Sequence, residues 1–114
     1  MSDTESKIDV ATECLTRISE LLAANPSNGR CADCEREHPE WTSQGFGTFI
    51  CLNCAGYHRS MGAHITTVRS LTLDEWTPEQ VRILEIGGNE LFWDYLRSMR
   101  ILQRYHLPEV LYYT

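Results

Sequence analysis

No apolar run in this chain approaches the roughly 18 residues that a membrane-spanning helix needs. The first residues, Met1 to Lys7, are polar and partly acidic, and they lack the apolar stretch of a secretory signal. Both absences predict a cytosolic or nuclear setting, where thiols stay reduced and clustered cysteines mean metal more often than disulfide. Internal repeats are missing, and no low-complexity segment follows the polar start. Basic side chains are scarce, ten against sixteen acidic ones, for a net charge of −6. Proteins that bind nucleic acid normally present a positive face. Around the cysteines, Arg30, Arg36, Arg59 and Arg69 are matched by Asp33, Glu35, Glu37 and Glu40. Four thiolates on one Zn²⁺ would add roughly two more negative charges. The balance argues against phosphate-backbone binding, a small local patch aside.

What is present is an ordinary share of apolar residues, 42% of 114, which suits one globular domain and not a disordered chain. A domain of this size buries a limited core, so a bound metal would stabilise it substantially. Four of the five cysteines form two C-x2-C pairs, Cys31/Cys34 and Cys51/Cys54, sixteen residues apart. Thiolates two residues apart bend the backbone into a knuckle with both sulfurs facing one ion. Two knuckles complete the tetrahedron of a closed structural zinc site. The competing reading is two disulfides or ordinary buried thiols. His38, before Pro39 in the charged loop 35–40, is not needed as a ligand. Arg59 follows Cys54 by five positions. On a helix over 54–61 it would ride on a rigid, metal-tethered mount, ready to meet an anion at little entropic cost. A structural salt bridge or a merely exposed arginine is the alternative.

The remaining pattern supplies the frame. Ile8, Ala11, Leu15, Ile18 and Leu22 trace one face of a helix over 5–24, with Cys14, read as a small core residue, near the edge of that stripe. Ser2 and Glu5 suit a capping box at its start, and Asn25-Pro26-Ser27-Asn28-Gly29 stops it. Trp41–Ser43 and Thr48–Ile50 flank the glycine-bearing turn 44–47, a hairpin pattern. Gly62 should end the helix after Cys54, and the β-branched run within 63–70 reads as a strand. Thr77, Pro78 and Gln80 make a second capping box, with Val81 and Leu84 facing the core. Gly87-Gly88 ends that helix. Asn89 can cap a last one, carrying Leu91, Phe92, Tyr95 and Leu96. Trp76 and Trp93 read as core or subcore aromatics. The apolar tail 107–114 looks cut from a longer polypeptide.

The pieces occur in one register. They are Cys31-x2-Cys34, Trp41-x-Ser43, Gly47-x-Phe49-x-Cys51-x2-Cys54, His58-Arg59-x2-Gly62-x-His64, Val68-Arg69-Ser70, Leu73-Asp74-x-Trp76 and Gly88-Asn89. Over roughly residues 15–100 this pattern resembles the Arf GTPase-activating protein (ArfGAP) zinc-finger family, whose signature is C-x2-C-x16-C-x2-C-x4-R. Gly45 and Thr48 depart from it. The family often has a longer polar residue at the first position and an apolar one at the second, and local packing should absorb both.

The resemblance implies an α+β fold, a small four-cysteine zinc finger with a short antiparallel sheet surrounded by several helices. It implies one domain over 1–114: helix 5–24, zinc module 29–70 and helices 77–105, shortened at the C-terminus. It implies one structural Zn²⁺ on Cys31, Cys34, Cys51 and Cys54. It also implies a GTPase-activating protein of the cytoplasm, acting in vesicle transport. Such a protein docks as a monomer on a GTP-bound Arf-family small GTPase and supplies Arg59 in trans as an arginine finger. GTP and Mg²⁺ belong to the partner. The domain activates that partner's hydrolysis and is not itself a nucleotide hydrolase. Recruitment to Golgi, endosomal or plasma membranes would come through the partner or through regions outside this chain. Trp41, Arg69 and Asp74 are further partner-binding candidates: Trp41 would support the interface or the Arg59 helix, with core packing as its alternative; Arg69 would contact the partner or pair locally; Asp74 would orient Arg59 or cap the turn before Trp76. His58 and His64 are expected to support the fold through hydrogen bonds. The rivals are a zinc-stabilised module that binds without activating, and a four-cysteine finger for nucleic acid of the GATA type.

Overall fold

A tight turn at 44–47 folds Trp41–Ser43 (β1) back on Thr48–Ile50 (β2), pairing Thr42 with Phe49. Val68–Ser70 (β3) pairs with the other edge of β1, so the antiparallel sheet has the order β2-β1-β3. The structure, a computed structural model, describes residues 3–99. The expected cap by Ser2 and Glu5, the side chain of Ile8, residues 100–105 of the last helix and the tail 107–114 lie outside what it describes. Four helices surround the sheet: Asp3–Ala24 (α1), Leu52–Ser60 (α2), Pro78–Ile86 (α3) and Asn89–Ser98 (α4). A 3₁₀ turn over Pro26–Gly29 follows α1. Among the described residues, no helix is long and apolar enough to cross a membrane.

Side chains alternate across a strand, and here both faces are covered. Phe49 packs on one side with Cys14, Ile18, Trp76, Val81 and Leu84, the α1–α3 core. Its neighbour Ile50 packs on the other with Cys31, Ala32, Cys51, Cys54 and Ala55, the cysteine-rich core. All of β2 is therefore buried. Truncating a buried Phe such as Phe49 typically costs about 3–5 kcal/mol.

The hairpin, the stop of α2 before Gly62 and the α3 cap form as expected. Thr77 Oγ1 accepts the Gln80 N–H and the Gln80 side chain accepts the Thr77 N–H. Val81 and Leu84 are buried, and so is Trp76, whose indole N–H reaches the Ser70 carbonyl. Trp93 is only half-buried and donates to the Ala32 carbonyl at 2.8 Å.

Three expectations need correction. The buried stripe of α1 runs through Cys14 and Ile18, with Leu21 and Leu22 packed beside it. Leu15 is 51% exposed and Ala11 is exposed as well. Cys14 thus sits at the centre of the stripe, because α3 meets α1 about one position round from where the leucines alone would place it. The strand within 63–70 is confined to Val68–Ser70, since β1 offers only three residues to pair with. The last helix carries Leu91, Phe92, Tyr95 and Leu96 as expected, Leu96 buried and Leu91 and Tyr95 exposed. Finally, Asn89 does not cap α4. Gly88 is the N-cap, at φ 96°, and the Asn89 side chain is buried elsewhere.

The two departures from the family pattern have visible consequences. A Cβ at Gly45 would fall against the Ile65 carbonyl and 2.7 Å from Thr66 Cβ. Its N–H donates to Thr66 Oγ1 at 2.8 Å. Thr66 has taken the space a longer residue would need. Thr48 is fully buried, and its hydroxyl finds no partner among the described residues.

Candidate metal centre and adjoining arginine

The first knuckle is shaped by backbone bonds, from Cys31 N–H to the Arg36 carbonyl and from Glu35 N–H to the Cys31 carbonyl. Glu35 takes φ 63° to close it. The Ala32 N–H donates to the Phe49 carbonyl, tying the knuckle to β2. The second knuckle is the start of α2. Cys51 is its N-cap, and the sulfur accepts the Cys54 N–H at 3.5 Å. The four sulfurs of Cys31, Cys34, Cys51 and Cys54 lie within 4.8 Å of one another. Zn–S bonds of about 2.3 Å in a tetrahedron put sulfurs about 3.8 Å apart, and Cys34 Sγ to Cys51 Sγ is 3.7 Å. Cys31, Cys51 and Cys54 are buried and Cys34 is half-buried. All five described cysteines are free thiols, which removes the disulfide alternative in this structure.

Four thiolates could not share so small a space without a cation. The thiol of Cys54 donates to the Cys31 sulfur, which holds the Cys31 pKa down at about 5 and pushes Cys54 up. Burial pushes Cys34 up to about 11. A divalent ion that replaced those protons would be held by four soft ligands with no open position, so the donor set fits structural zinc.

Arg59 lies on the last turn of α2 and is exposed. Its Cζ rests 4.7 Å from the centre of the Trp41 ring, an exposed cation–π contact of about 0.5–1 kcal/mol. Among the described residues no carboxylate pairs with it. The structure therefore brings Arg59, Trp41 and the four cysteines together. The other two candidates sit together in a separate turn. Asp74 Oδ2 accepts the Ser70 N–H at 2.7 Å, and Arg69 Nη2 donates to the Glu75 carbonyl at 2.9 Å. Asp74 thus closes the turn before Trp76.

The burial of Asp33 has no signal in local spacing. The residue is wholly buried, and its Oδ2 lies 2.6 Å from His58 Nε2. His58 Nδ1 lies 2.7 Å from Ser43 Oγ, itself 2.7 Å from Thr66 Oγ1. Phe46 meets the imidazole edge-on with centroids 5.5 Å apart. His58 supports the fold as expected. His64 is exposed, its ring close against Gly62, and His38 is exposed and no part of the sulfur cluster.

Comparison with known proteins agrees with this geometry. Residues 16–107 match the ArfGap family, described as "Putative GTPase activating protein for Arf". The chain is 44% identical over 92 residues to the stromal membrane-associated protein 1 of Mus musculus, 81% of this chain and 19% of that one. It is 45% identical over 75 residues to the ADP-ribosylation factor GTPase-activating protein GCS1 of Saccharomyces cerevisiae, 66% of this chain and 21% of that one. The matched segment thus spans about a fifth of those relatives. A crystal structure from Cryptosporidium parvum, described as a "putative GTPase activating protein for ADP ribosylation factor", superposes with a TM-score of 0.66 at 42% identity. That match covers 73% of this chain and 68% of that one. Cysteine cluster, arginine, fold and sequence matches lead to one assignment: the chain belongs to the ArfGap family.

Proposed function

We propose that this chain is a GTPase-activating domain for an Arf-family small GTPase, and that it acts by presenting Arg59 to the GTP-bound partner. The observation that carries the reading is an exposed arginine with no carboxylate partner among the described residues, mounted five positions past Cys54, the last of four clustered thiols. Phosphoryl transfer builds charge on the γ-phosphate and leaving-group oxygens. A guanidinium meets that charge with a planar pair of donors, and such fingers accelerate hydrolysis by about 10³–10⁵, or roughly 4–7 kcal/mol. Cys31, Cys34, Cys51 and Cys54 would hold one Zn²⁺, whose chemistry here is structural: it ties the two knuckles together. Trp41 holds the guanidinium at rest, and Arg69 and Asp74 lie on a neighbouring turn as further candidates for docking. GTP and Mg²⁺ are the partner's. The domain over 1–114 acts as a monomer in the cytoplasm, in vesicle transport, and reaches Golgi, endosomal or plasma membranes through its partner or through segments outside this chain.

The test is single-turnover GTP hydrolysis on an Arf-family GTPase with the wild type, Arg59→Lys and Arg59→Ala. Acceleration by the wild type should fall about 10³-fold in both variants, because lysine keeps the charge but loses the fork. Equal rates for all three would refute the finger. Binding of the GTP-loaded partner with no acceleration by the wild type would favour the purely binding module. Salt-sensitive binding to duplex DNA would favour the nucleic-acid finger.

A further inference from the structure

We propose that His58 is a positioning residue for Arg59, clamping the C-terminal turn of α2 to the first knuckle through Asp33 and to β1 through Ser43. The inference rests on the reading of Arg59 given above. A helix of nine residues is not stable alone, so its direction is set by what it is tied to. The sulfurs of Cys51 and Cys54 tie only its first turn. From Cys54 to Arg59 the axis advances about 7.5 Å, and a tilt of about 10° over that length moves the Arg59 backbone by roughly 1.3 Å. Misplacement by about 1 Å can cost on the order of 10² in rate. A metal at one end is therefore a pivot, and the far end needs its own anchor.

His58 is the one residue of the helix beyond Ala55 that is buried. Both ring nitrogens are engaged, Nε2 with Asp33 at 2.6 Å and Nδ1 with Ser43 at 2.7 Å. Asp33 as a carboxylate can only accept, so Nε2 carries the hydrogen. The bonds continue to Thr66 Oγ1, which also accepts the Gly45 N–H. One imidazole thus fixes the end of α2 to the first knuckle, the central strand and the loop before β3. Consecutive helix residues point about 100° apart. Holding His58 inward turns Arg59 outward beside Trp41 on the same strand β1. A buried carboxylate is costly to retain as mere filling; here it fixes a direction.

The experiment titrates the domain against a GTP-loaded Arf-family GTPase under single-turnover conditions. It compares the wild type, His58→Gln, Ser43→Ala, Arg59→Ala and the double variant His58→Gln/Arg59→Ala, with zinc content measured throughout. His58→Gln should keep its zinc and lower the maximal rate about 10–100-fold, while the half-saturating concentration stays within about twofold. In the Arg59→Ala background it should cost nothing further. A raised half-saturation at unchanged plateau, or an equal loss in both backgrounds, would overturn the proposal. Ser43→Ala, which leaves the Asp33 bond intact, should show the same pattern more weakly, and it carries the test if His58→Gln loses its zinc. The ring-current shift that Trp41 imposes on the Arg59 side chain supplies a second readout by NMR. It should be lost in His58→Gln. If Arg59→Ala proves as active as the wild type, the finger reading fails, yet an unaltered shift in His58→Gln would separately refute the clamp.

Discussion

Asn89 is fully buried, and every polar atom of its side chain is used. Oδ1 accepts the Phe49 N–H at 2.8 Å, and the two hydrogens of Nδ2 are shared among the carbonyls of Ser27, Arg30 and Phe49. Its own N–H donates to Asn28 Oδ1 at 2.9 Å. One amide thereby joins the turn after α1, the strand β2 and the start of α4. Asn89→Ala removes an acceptor and a donor from three buried segments at once. At about 1–3 kcal/mol for each group left without a partner, the expected loss is roughly 3 kcal/mol, on the order of 10 °C in Tm. Thermal unfolding of the zinc-loaded variant measures it, and a shift of about 2 °C or less would show that water replaces the amide. From the sequence an asparagine after two glycines reads as a cap, because that is what its local propensity favours. The place of Arg59 on a helix next to the cysteines was legible for the opposite reason. Its spacing from Cys54 is local, and five residues along a helix admit few directions. Asp33 and His58 meet across 25 positions, which no local rule reaches.

At the scale of elements, the capping box of α3 was legible down to each partner, since Thr77, Pro78 and Gln80 complete it among themselves. The buried stripe of α1 was not. Its amphipathic pattern places a helix but leaves the contact face uncertain by about one residue, and the neighbour decides. That neighbour is α3, and beyond apolar packing an ion pair joins them, Arg17 to Glu85 with a bond of 3.0 Å from Nε. The Arg17 guanidinium lowers the Glu85 pKa below its ordinary value of 4.5. The unfolded carboxyl therefore takes up a proton first as pH falls. The pair stabilises the fold above about pH 4.5 and loses that contribution as pH drops through the folded value. Both groups are partly exposed, so the effect is small and screened by salt. Glu85→Gln should be slightly less stable than the wild type at pH 7, with the gap closing toward pH 3. Denaturant midpoints at the two pH values test this, and a gap that widens in acid would contradict the assignment.

At the scale of the molecule, a three-residue strand, β2, lies between two small cores, and the cysteine-rich one has Ile50 as its one large aliphatic residue among those fully buried. Metal binding should supply what that core does not, since structural zinc contributes on the order of 10–16 kcal/mol to finger peptides. A strong chelator, or Cys31→Ser, should abolish cooperative unfolding; a metal-free chain that melts like the loaded one would refute this. Zinc must displace protons from Cys34, pushed up to about 11, and from Cys54, also pushed up. Its affinity should therefore fall as pH falls from 7.5 to 6, as read by competition with a chromophoric chelator. An affinity independent of pH would exclude thiolate ligation. The chain's sequence by itself determined the knuckles, the hairpin, the helix stops and the family, because each is written in residues a few positions apart whose spacing satisfies a bond or a turn. Only the tertiary structure decided which face of α1 is buried, that Asn89 braces three segments instead of capping one, and that Asp33 and Ser43 hold His58 beside Arg59. Those contacts join segments tens of residues apart, and their partners are chosen by the packing of the whole chain.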